Sequence, residues 1–138
     1  MNIEELLTSM SVDISSQEWK FALKNMYVNF SVDVKKLECI GGYECTFSRE
    51  SVSGRKIIGD TDGYIICTNL GILVVCPKKD DFPVTAFISK KDIRVVEADT
   101  KFFKSFIKVK TNDDSYIFKI DKKQLKDLEK LVNKTKMM

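Results

Sequence analysis

Seven short runs of β-branched and aromatic residues, separated by turn residues, fill the sequence from Tyr43 onward. Runs of this length and spacing are typical of an antiparallel sheet. The segments TNLG (68–71) and NDDS (112–115) are hairpin turns by composition. Before the second turn, apolar residues alternate with lysines, which predicts one buried and one solvated face. The predicted strands lie near 43–49, 62–69, 71–76, 83–89, 92–98, 104–111 and 115–120.

The sequence ends in a segment with helical periodicity. Asp121 can accept the backbone N–H groups of a first helical turn, and Gln124 can complete a capping box. A helix that is apolar on one stripe alone needs a surface to cover it, so we expect this helix to close an open end of the sheet. The stripe consists of Leu125, Leu128, Leu131 and Val132.

The first 34 residues have a helical pattern and not an extended one. Ser15 or Ser16 can cap a helix whose Glu18 lies in the first turn, where an acid is favoured. We predict that its apolar face is core, and a partner-binding helix is the alternative. That face carries Trp19, Leu23, Met26 and Tyr27. The sequence thus divides into a helical N-terminal extension, 1–34, and a sheet domain, 35–138.

Size and charge are those of one globular domain with a lysine-rich surface. A chain of 138 residues buries roughly two-thirds of its unfolded surface, which is enough for one core. The net charge is +3, and eleven lysines stand against five acids in 101–138. Because 20 of the 23 basic residues are lysine, we favour a solvated surface over a phosphate-gripping site, which would favour arginine.

Cysteine usage and the apolar segments predict a cytoplasmic protein. The four cysteines form no Cys-x-x-Cys pair and the sequence has no histidine, which disfavours a zinc site. Cys67 and Cys76 lie in apolar runs and are predicted to be buried thiols, as in a reducing compartment. MNIEELL lacks the basic start of a signal peptide, and the longest apolar tract, 64–76, is too short to span a bilayer.

The motif-like segments predict neither an enzyme nor a metal or cofactor site. In GDTDG, a calcium loop aligned on Asp60 and Asp62 would place Ile58 and Asn69 at ligand positions, so we predict a turn before a strand. Ser-x-x-Lys occurs twice, outside any predicted helix that would bring its ends together. Without histidine, a nucleophile would also lack its commonest base.

The segment KFFKSFIKVK, 101–110, interleaves aromatic residues with lysines. Phe102, Phe103 and Phe106 among four lysines would suit a nucleic-acid surface if the rings were exposed. The simpler interpretation is a strand with a lysine-bearing solvent side. We therefore expect no nucleic-acid partner.

Several segments together resemble the pleckstrin-homology (PH) superfold. GYIICTNLGILVV is similar to the hairpin shared by GRAM-like and bacterial PH-like domains, including YokE-like ones. FISKKDIRVVE is similar to the strand that follows it, and IKVKTNDDSYIFKI with DKKQLKDLEKLV resembles the last hairpin and capping helix. The resemblance implies a mainly β (α+β) fold: a seven-stranded antiparallel rolled sheet or barrel capped by a C-terminal α-helix, with an extra N-terminal helix outside it.

This resemblance implies a binding role in a small bacterial protein. Our first hypothesis is a non-enzymatic cytoplasmic module that acts by protein–protein interaction or self-association. The alternative is weak recognition of anionic phospholipid headgroups at a membrane surface. In lipid-binding PH domains, basic residues beside the first hairpin loop hold the headgroup, and the matching residues are Arg49, Arg55 and Lys56. Glu50 lies between them and weakens such a site.

Overall fold

The chain forms one antiparallel sheet of seven strands with three α-helices, in a computed structural model that describes residues 1–79 and 81–138. All seven predicted strands are present, and the predicted mainly β class is confirmed. The sheet order is β4-β3-β2-β1-β7-β6-β5. The strands are β1 (Cys39–Ser51), β2 (Lys56–Thr68), β3 (Gly71–Cys76), β4 (Val84–Ser89), β5 (Val95–Lys101), β6 (Lys104–Lys110) and β7 (Asp114–Ile120); the helices are α1 (Ile3–Ser9), α2 (Gln17–Asn29) and α3 (Leu125–Met137).

The sheet is shared between two halves that meet at β1. This strand pairs with β2 along its length and with β7 from Thr46 to Ser51, so β1–β4 form a first half-sheet and β5–β7 a second. The inward faces of both halves enclose one apolar core around Phe47, Ile107 and Phe118. Period-two alternation explains the second half, where the residues between the buried ones remain half-exposed.

Helix α3 covers this core as predicted. Leu128 and Val132 are fully buried, and Leu125 and Leu131 pack at the margin. Asp121 caps one 3₁₀ turn by accepting the Lys123 amide at 3.4 Å, as predicted. Its partner in the predicted capping box, Gln124, instead closes that turn through its backbone, donating its amide to the Asp121 carbonyl.

The N-terminal helices cover the outer face of the first half-sheet. The face of α2 with Trp19, Leu23 and Met26 is buried against β2 and β3, as predicted, and Ser16 caps the helix. Strand β3 is consequently buried on both faces, which explains its unbroken apolar run. Helix α1 was not predicted from the sequence. It is seven residues long and is held by a capping box between Asn2 and Glu5.

The predicted turn at GDTDG is wrong, because β2 passes through it. Hydrogen bonding to β1 outweighs the turn propensity: Thr46 pairs with Asp62 and Cys45 with Gly63. A Cβ at Gly63 would lie 2.8 Å from Cys76 Cα, so glycine allows the close approach of β3. Both aspartates contact neighbouring strands. The Asp60 carboxylate forms an ion pair with the Lys119 ammonium at 2.7 Å, and Asp62 accepts a hydrogen bond from the Thr46 hydroxyl at 3.1 Å.

Candidate functional site

The structure separates the three residues proposed to hold a headgroup. Arg49 lies on the inward face of β1 opposite Tyr116 and stacks on that ring at 5.0 Å. Its guanidinium forms an ion pair with Asp114, to which Nε donates at 3.1 Å. Because this face carries the core residues, Arg49 closes one end of the sheet.

Arg55 and Lys56 lie in and beside the β1–β2 loop, 52–55, with exposed side chains. Lys56 lies opposite Glu50 in the register between β1 and β2. Glu50 follows Arg49 in β1 and points to the opposite face of that strand. The two loop cations are therefore adjacent in sequence and exposed, whereas Arg49 is turned away from them. This arrangement leaves the predicted headgroup site with two free cations at most.

A small polar concavity of about 290 Å³ adjoins Arg49. Arg94 lines it and is already bonded to Asn112 and to the Lys91 carbonyl, at 3.1 and 2.7 Å. Three aspartates share the lining with these two arginines: Asp92, Asp113 and Asp114. This balance of charge does not favour an anionic ligand.

The most unusual surface feature is the β5–β6 tip, Phe102 and Phe103. Lys101 pairs with Lys104, so the two phenylalanines are the central residues of a two-residue hairpin turn. Both have left-handed backbone conformations, with φ of 49° and 68°. Their side chains are 91% and 102% exposed. This geometry matches the turn type that normally takes Asn-Gly.

Phenylalanine is unfavourable in this turn on two counts. The left-handed conformation costs roughly 1–2 kcal/mol for a residue with a Cβ. Each ring also offers about 150–250 Å² of surface for burial, and at the tip it remains in water. Since folding gains nothing from either ring, the tip is suited to a contact outside the molecule.

Charged side chains of both signs surround the β5–β6 tip. Ser105 pairs with Ile120, which places the tip beside the start of the α3 region. A broad depression of about 1220 Å³ adjoins the tip. Phe103, Lys104, Lys119 and Lys122 are among its lining residues. Asp60 holds Lys119, and Asp99 lies 4.0 Å from the Lys101 ammonium. Three acids, Glu44, Asp62 and Asp121, line the depression together with the lysines, so it carries no excess of positive charge.

The β5–β6 tip and the β1–β2 loop lie at opposite ends of the second half-sheet. Strand β7 runs from one end to the other: Asp114 lies opposite Ser51 beside the loop, and Ile120 lies opposite Ser105 beside the tip. Seven residues of strand span about 20 Å. A variant at one end can therefore serve as a control for the other.

A second exposed aromatic pair joins α2 to the β3–β4 connection. Phe21 and Phe82 are 43% and 75% exposed, and their ring centroids are 5.9 Å apart. The rings shield each other in part, unlike those of the tip. This pair is a smaller candidate surface.

The cysteines are inert by burial. All four are buried as free thiols, including the predicted Cys67 and Cys76. Burial raises the pKa of Cys67 and Cys76 to about 12 and that of Cys39 to about 11, because the thiolate is poorly solvated in the core. Within residues 1–79 and 81–138, no three His, Cys, Asp or Glu side chains converge as a metal site. Across the same residues, no helix has the length and apolar character to cross a bilayer.

The sequence prediction interprets 101–110 as a strand with a lysine-bearing solvent side, while its strand bounds, 92–98 and 104–111, leave Phe102 and Phe103 between two strands without predicting a tight turn. Turn prediction relies on Gly, Asn, Asp, Ser and Pro, and FF has none of these. In the structure Lys101 lies opposite Lys104, which leaves two residues for the turn, and the local sequence does not give this register.

Comparison with known proteins bears on the fold alone. No protein-family model and no curated protein matches the sequence. The C-terminal domain of an unknown protein from Leishmania infantum matches with a TM-score of 0.57 and 17% identity, over 77% of this chain and 90% of that one. A structure of inhibited Vav1 matches with a TM-score of 0.56 and 12% identity, over 83% of this chain and 32% of that one. A Vav1 structure described by its PH and C1 domains has a TM-score of 0.46 and 13% identity, over 87% and 33%.

The sheet order, the rolled arrangement of the two half-sheets and the C-terminal helix over the core define a PH-like fold. This chain spans about a third of the Vav1 chains that it matches. A fold by itself does not fix a function. The function must therefore be inferred from the candidate surfaces.

Proposed function

We propose that this chain is a non-enzymatic, PH-like binding module that contacts its partner through the β5–β6 tip. The observation that supports the proposal is the pair of fully exposed phenylalanines in left-handed conformations, Phe102 and Phe103. Burying both rings in a partner would remove about 300–500 Å² of apolar surface from water. At about 25 cal/mol per Å², this is the largest gain that any exposed pair on the described surface offers.

Site-specific photo-crosslinking in living cells tests this proposal without naming the partner. Phe103 is replaced by a photoreactive phenylalanine analogue, and Val52 receives the same analogue as a control. Val52 is 75% exposed and lies in the β1–β2 loop at the far end of β7. We expect position 103 to give a cross-linked product, to protein or to lipid, well above the yield from position 52. Equal background yields from both positions would overturn the proposal.

The Phe21–Phe82 pair favours a second candidate function, self-association or another protein contact. An exposed aromatic pair is a common centre of protein interfaces. If the chain self-associates through it, light scattering will show an oligomer that Phe21→Ser/Phe82→Ser converts to a monomer. A wild-type protein that is monomeric across the concentration range would exclude self-association through this surface.

We further propose that the chain belongs to the GRAM-like, YokE-like branch of PH-like domains, on the strength of its central hairpin. GYIICTNLGILVV forms that hairpin, with Thr68 accepting the amides of Leu70 and Gly71 through its hydroxyl at 3.2 and 3.1 Å. The same hydroxyl donates to the Gly71 carbonyl at 2.8 Å. These bonds supply a structural reason for threonine at that motif position.

A further inference from the structure

We infer that the partner of the β5–β6 tip is an anionic lipid bilayer, into which Phe102 and Phe103 insert while the neighbouring lysines remain at the headgroups. This inference rests on the proposed function, because it names what the tip contacts. It differs from the headgroup site considered from the sequence. That site lies at the opposite end of the second half-sheet and depends on Arg55 and Lys56.

The shape of the tip favours a bilayer over a protein groove. The two rings project from a narrow hairpin whose neck is hydrophilic, with Thr100 and Ser105 joined through their hydroxyls at 3.2 Å. A stable protein interface needs roughly 800 Å² from each partner, with an apolar centre inside a polar rim. The two rings by themselves offer about 300–500 Å², which falls short of that area. A bilayer requires no complementary shape, and apolar side chains enter its interfacial region directly.

The charged residues directly beside the two rings are lysines. Lys101 and Lys104 flank the rings, and Lys122 and Lys123 lie at the same end of the sheet. Five acids also lie at this end, where they reduce the attraction: Glu44, Asp60, Asp62, Asp99 and Asp121. Lysine suits this role, because its stem can lie along apolar surface while the ammonium stays at the headgroups.

Sedimentation with lipid vesicles tests the inference. Vesicles of phosphatidylcholine are compared with vesicles that also contain phosphatidylserine, at low and at raised salt. We expect the wild-type chain to bind the phosphatidylserine vesicles and to be released as salt rises, because screening weakens the lysine attraction.

Two double variants separate the contributions of the tip. Phe102→Asn/Phe103→Gly keeps the turn geometry and is expected to weaken binding by about tenfold or more. Lys101→Ala/Lys104→Ala is expected to weaken it by about fivefold for each lysine removed. Val52→Ser/Ile57→Ser and Arg55→Ala/Lys56→Ala, both at the far end, are the matched controls and should leave binding unchanged. Circular dichroism confirms that each variant is folded.

Three results would overturn the inference: no binding of the wild-type chain to phosphatidylserine vesicles at low salt, unchanged binding after Phe102→Asn/Phe103→Gly, or loss of binding in Arg55→Ala/Lys56→Ala alone. If vesicle binding is absent while position 103 still cross-links to a protein in cells, the inference falls and the proposed function stands. If position 103 cross-links to nothing, the proposed function itself falls.

Discussion

Phe102 and Phe103 differ from the other exposed apolar residues in the cost of their backbone conformation. Phe82 and Val52 are also largely exposed, but among the residues that the structure describes, only Ser11 and the two tip residues combine a Cβ with a left-handed φ. Serine is small, whereas a phenylalanine in this region is a genuine outlier. Among the described residues, the tip is thus the one place where large exposed apolar side chains and left-handed backbone coincide.

Relieving that strain should stabilise the fold. In Phe102→Asn/Phe103→Gly both residues tolerate the left-handed turn, so we expect the free energy of unfolding to rise by about 1–2 kcal/mol. Urea denaturation measures the change. Val52→Ser, at an exposed site with φ outside that region, is the control and should change stability little. A loss of stability in the Asn-Gly variant would show that the rings support the fold and would contradict a purely external role for them.

Arg49 shows why the basic residues of the first hairpin could not be placed from the sequence. Its direction depends on the register between β1 and β7, which sets it opposite Tyr116 and within reach of Asp114. A shift of one residue would send the side chain to the other face. Local sequence carries no information on that register, because the two strands lie 65 residues apart.

Among the elements, α3 packs one face into the core and leaves the other face in solvent. Leu128 is fully buried against both half-sheets, and the Thr135 hydroxyl donates to the Thr68 carbonyl at 2.9 Å, fixing the helix to the end of β2. On its outer side Lys126 is exposed. The two faces therefore predict very different sensitivities to substitution.

Truncating the buried face of α3 should be severe. Leu128→Ala is expected to lower the free energy of unfolding by about 2–5 kcal/mol, the cost of removing a core side chain and leaving a cavity. Lys126→Ala, on the solvent side of the same helix, should change it by less than about 0.5 kcal/mol. Chemical denaturation of both variants decides the matter. Equal and small losses would mean that α3 does not close the core.

The elements themselves were predictable wherever the local pattern agreed with its surroundings. β3 was predicted at its observed bounds, because Gly71 and Pro77 punctuate an apolar run. β2 begins at Lys56 and not near 62, since pairing with β1 overrides the glycine and aspartate signals. α1 was missed because seven residues show too little periodicity to be distinguished. Similarly, Lys90–Asp92 form a 3₁₀ turn, so β5 begins at Val95 and not near 92 as predicted.

On the scale of the whole molecule, the N-terminal helices occupy a surface that the sheet would otherwise expose. Ile66, Leu73 and Val75 point outward from the first half-sheet and are fully buried beneath α1 and α2. Asn25 of α2 accepts the Thr85 hydroxyl at 2.8 Å, which ties the cover to β4. The boundary between a helical extension, 1–34, and a sheet domain, 35–138, is therefore a boundary in sequence pattern. In the structure the two segments pack against each other.

Removing residues 1–34 tests how far the sheet domain depends on this cover. The fragment 35–138 would expose an apolar face on β2 and β3 larger than monomeric proteins usually tolerate. We expect it to aggregate, or to unfold at a markedly lower denaturant concentration than the full chain. Gel filtration and urea denaturation measure both outcomes. A monomeric fragment of full-chain stability would instead make 35–138 an autonomous domain.

The same packing leaves the β5–β6 tip free, because α1, α2 and α3 all lie against other parts of the sheet. Charge is divided unevenly along the chain. The C-terminal segment 101–138 carries six more lysines than acids, whereas 1–34 carries three more acids than lysines. The lysines of this segment are spread over both ends of the second half-sheet, because Lys110 lies opposite Ser115 and Lys136 donates to the Arg94 carbonyl, away from the tip.

The most direct test of the tip as the contact surface is a fluorescence measurement at single positions. The four native thiols are buried with raised pKa, so a new exposed cysteine at Phe103→Cys or Val52→Cys can be labelled selectively with an environment-sensitive dye. With phosphatidylserine vesicles, we predict a blue-shifted and brighter emission from position 103 and an unchanged spectrum from position 52. A shift at position 52 with none at position 103 would place the contact at the β1–β2 loop and contradict insertion of the tip.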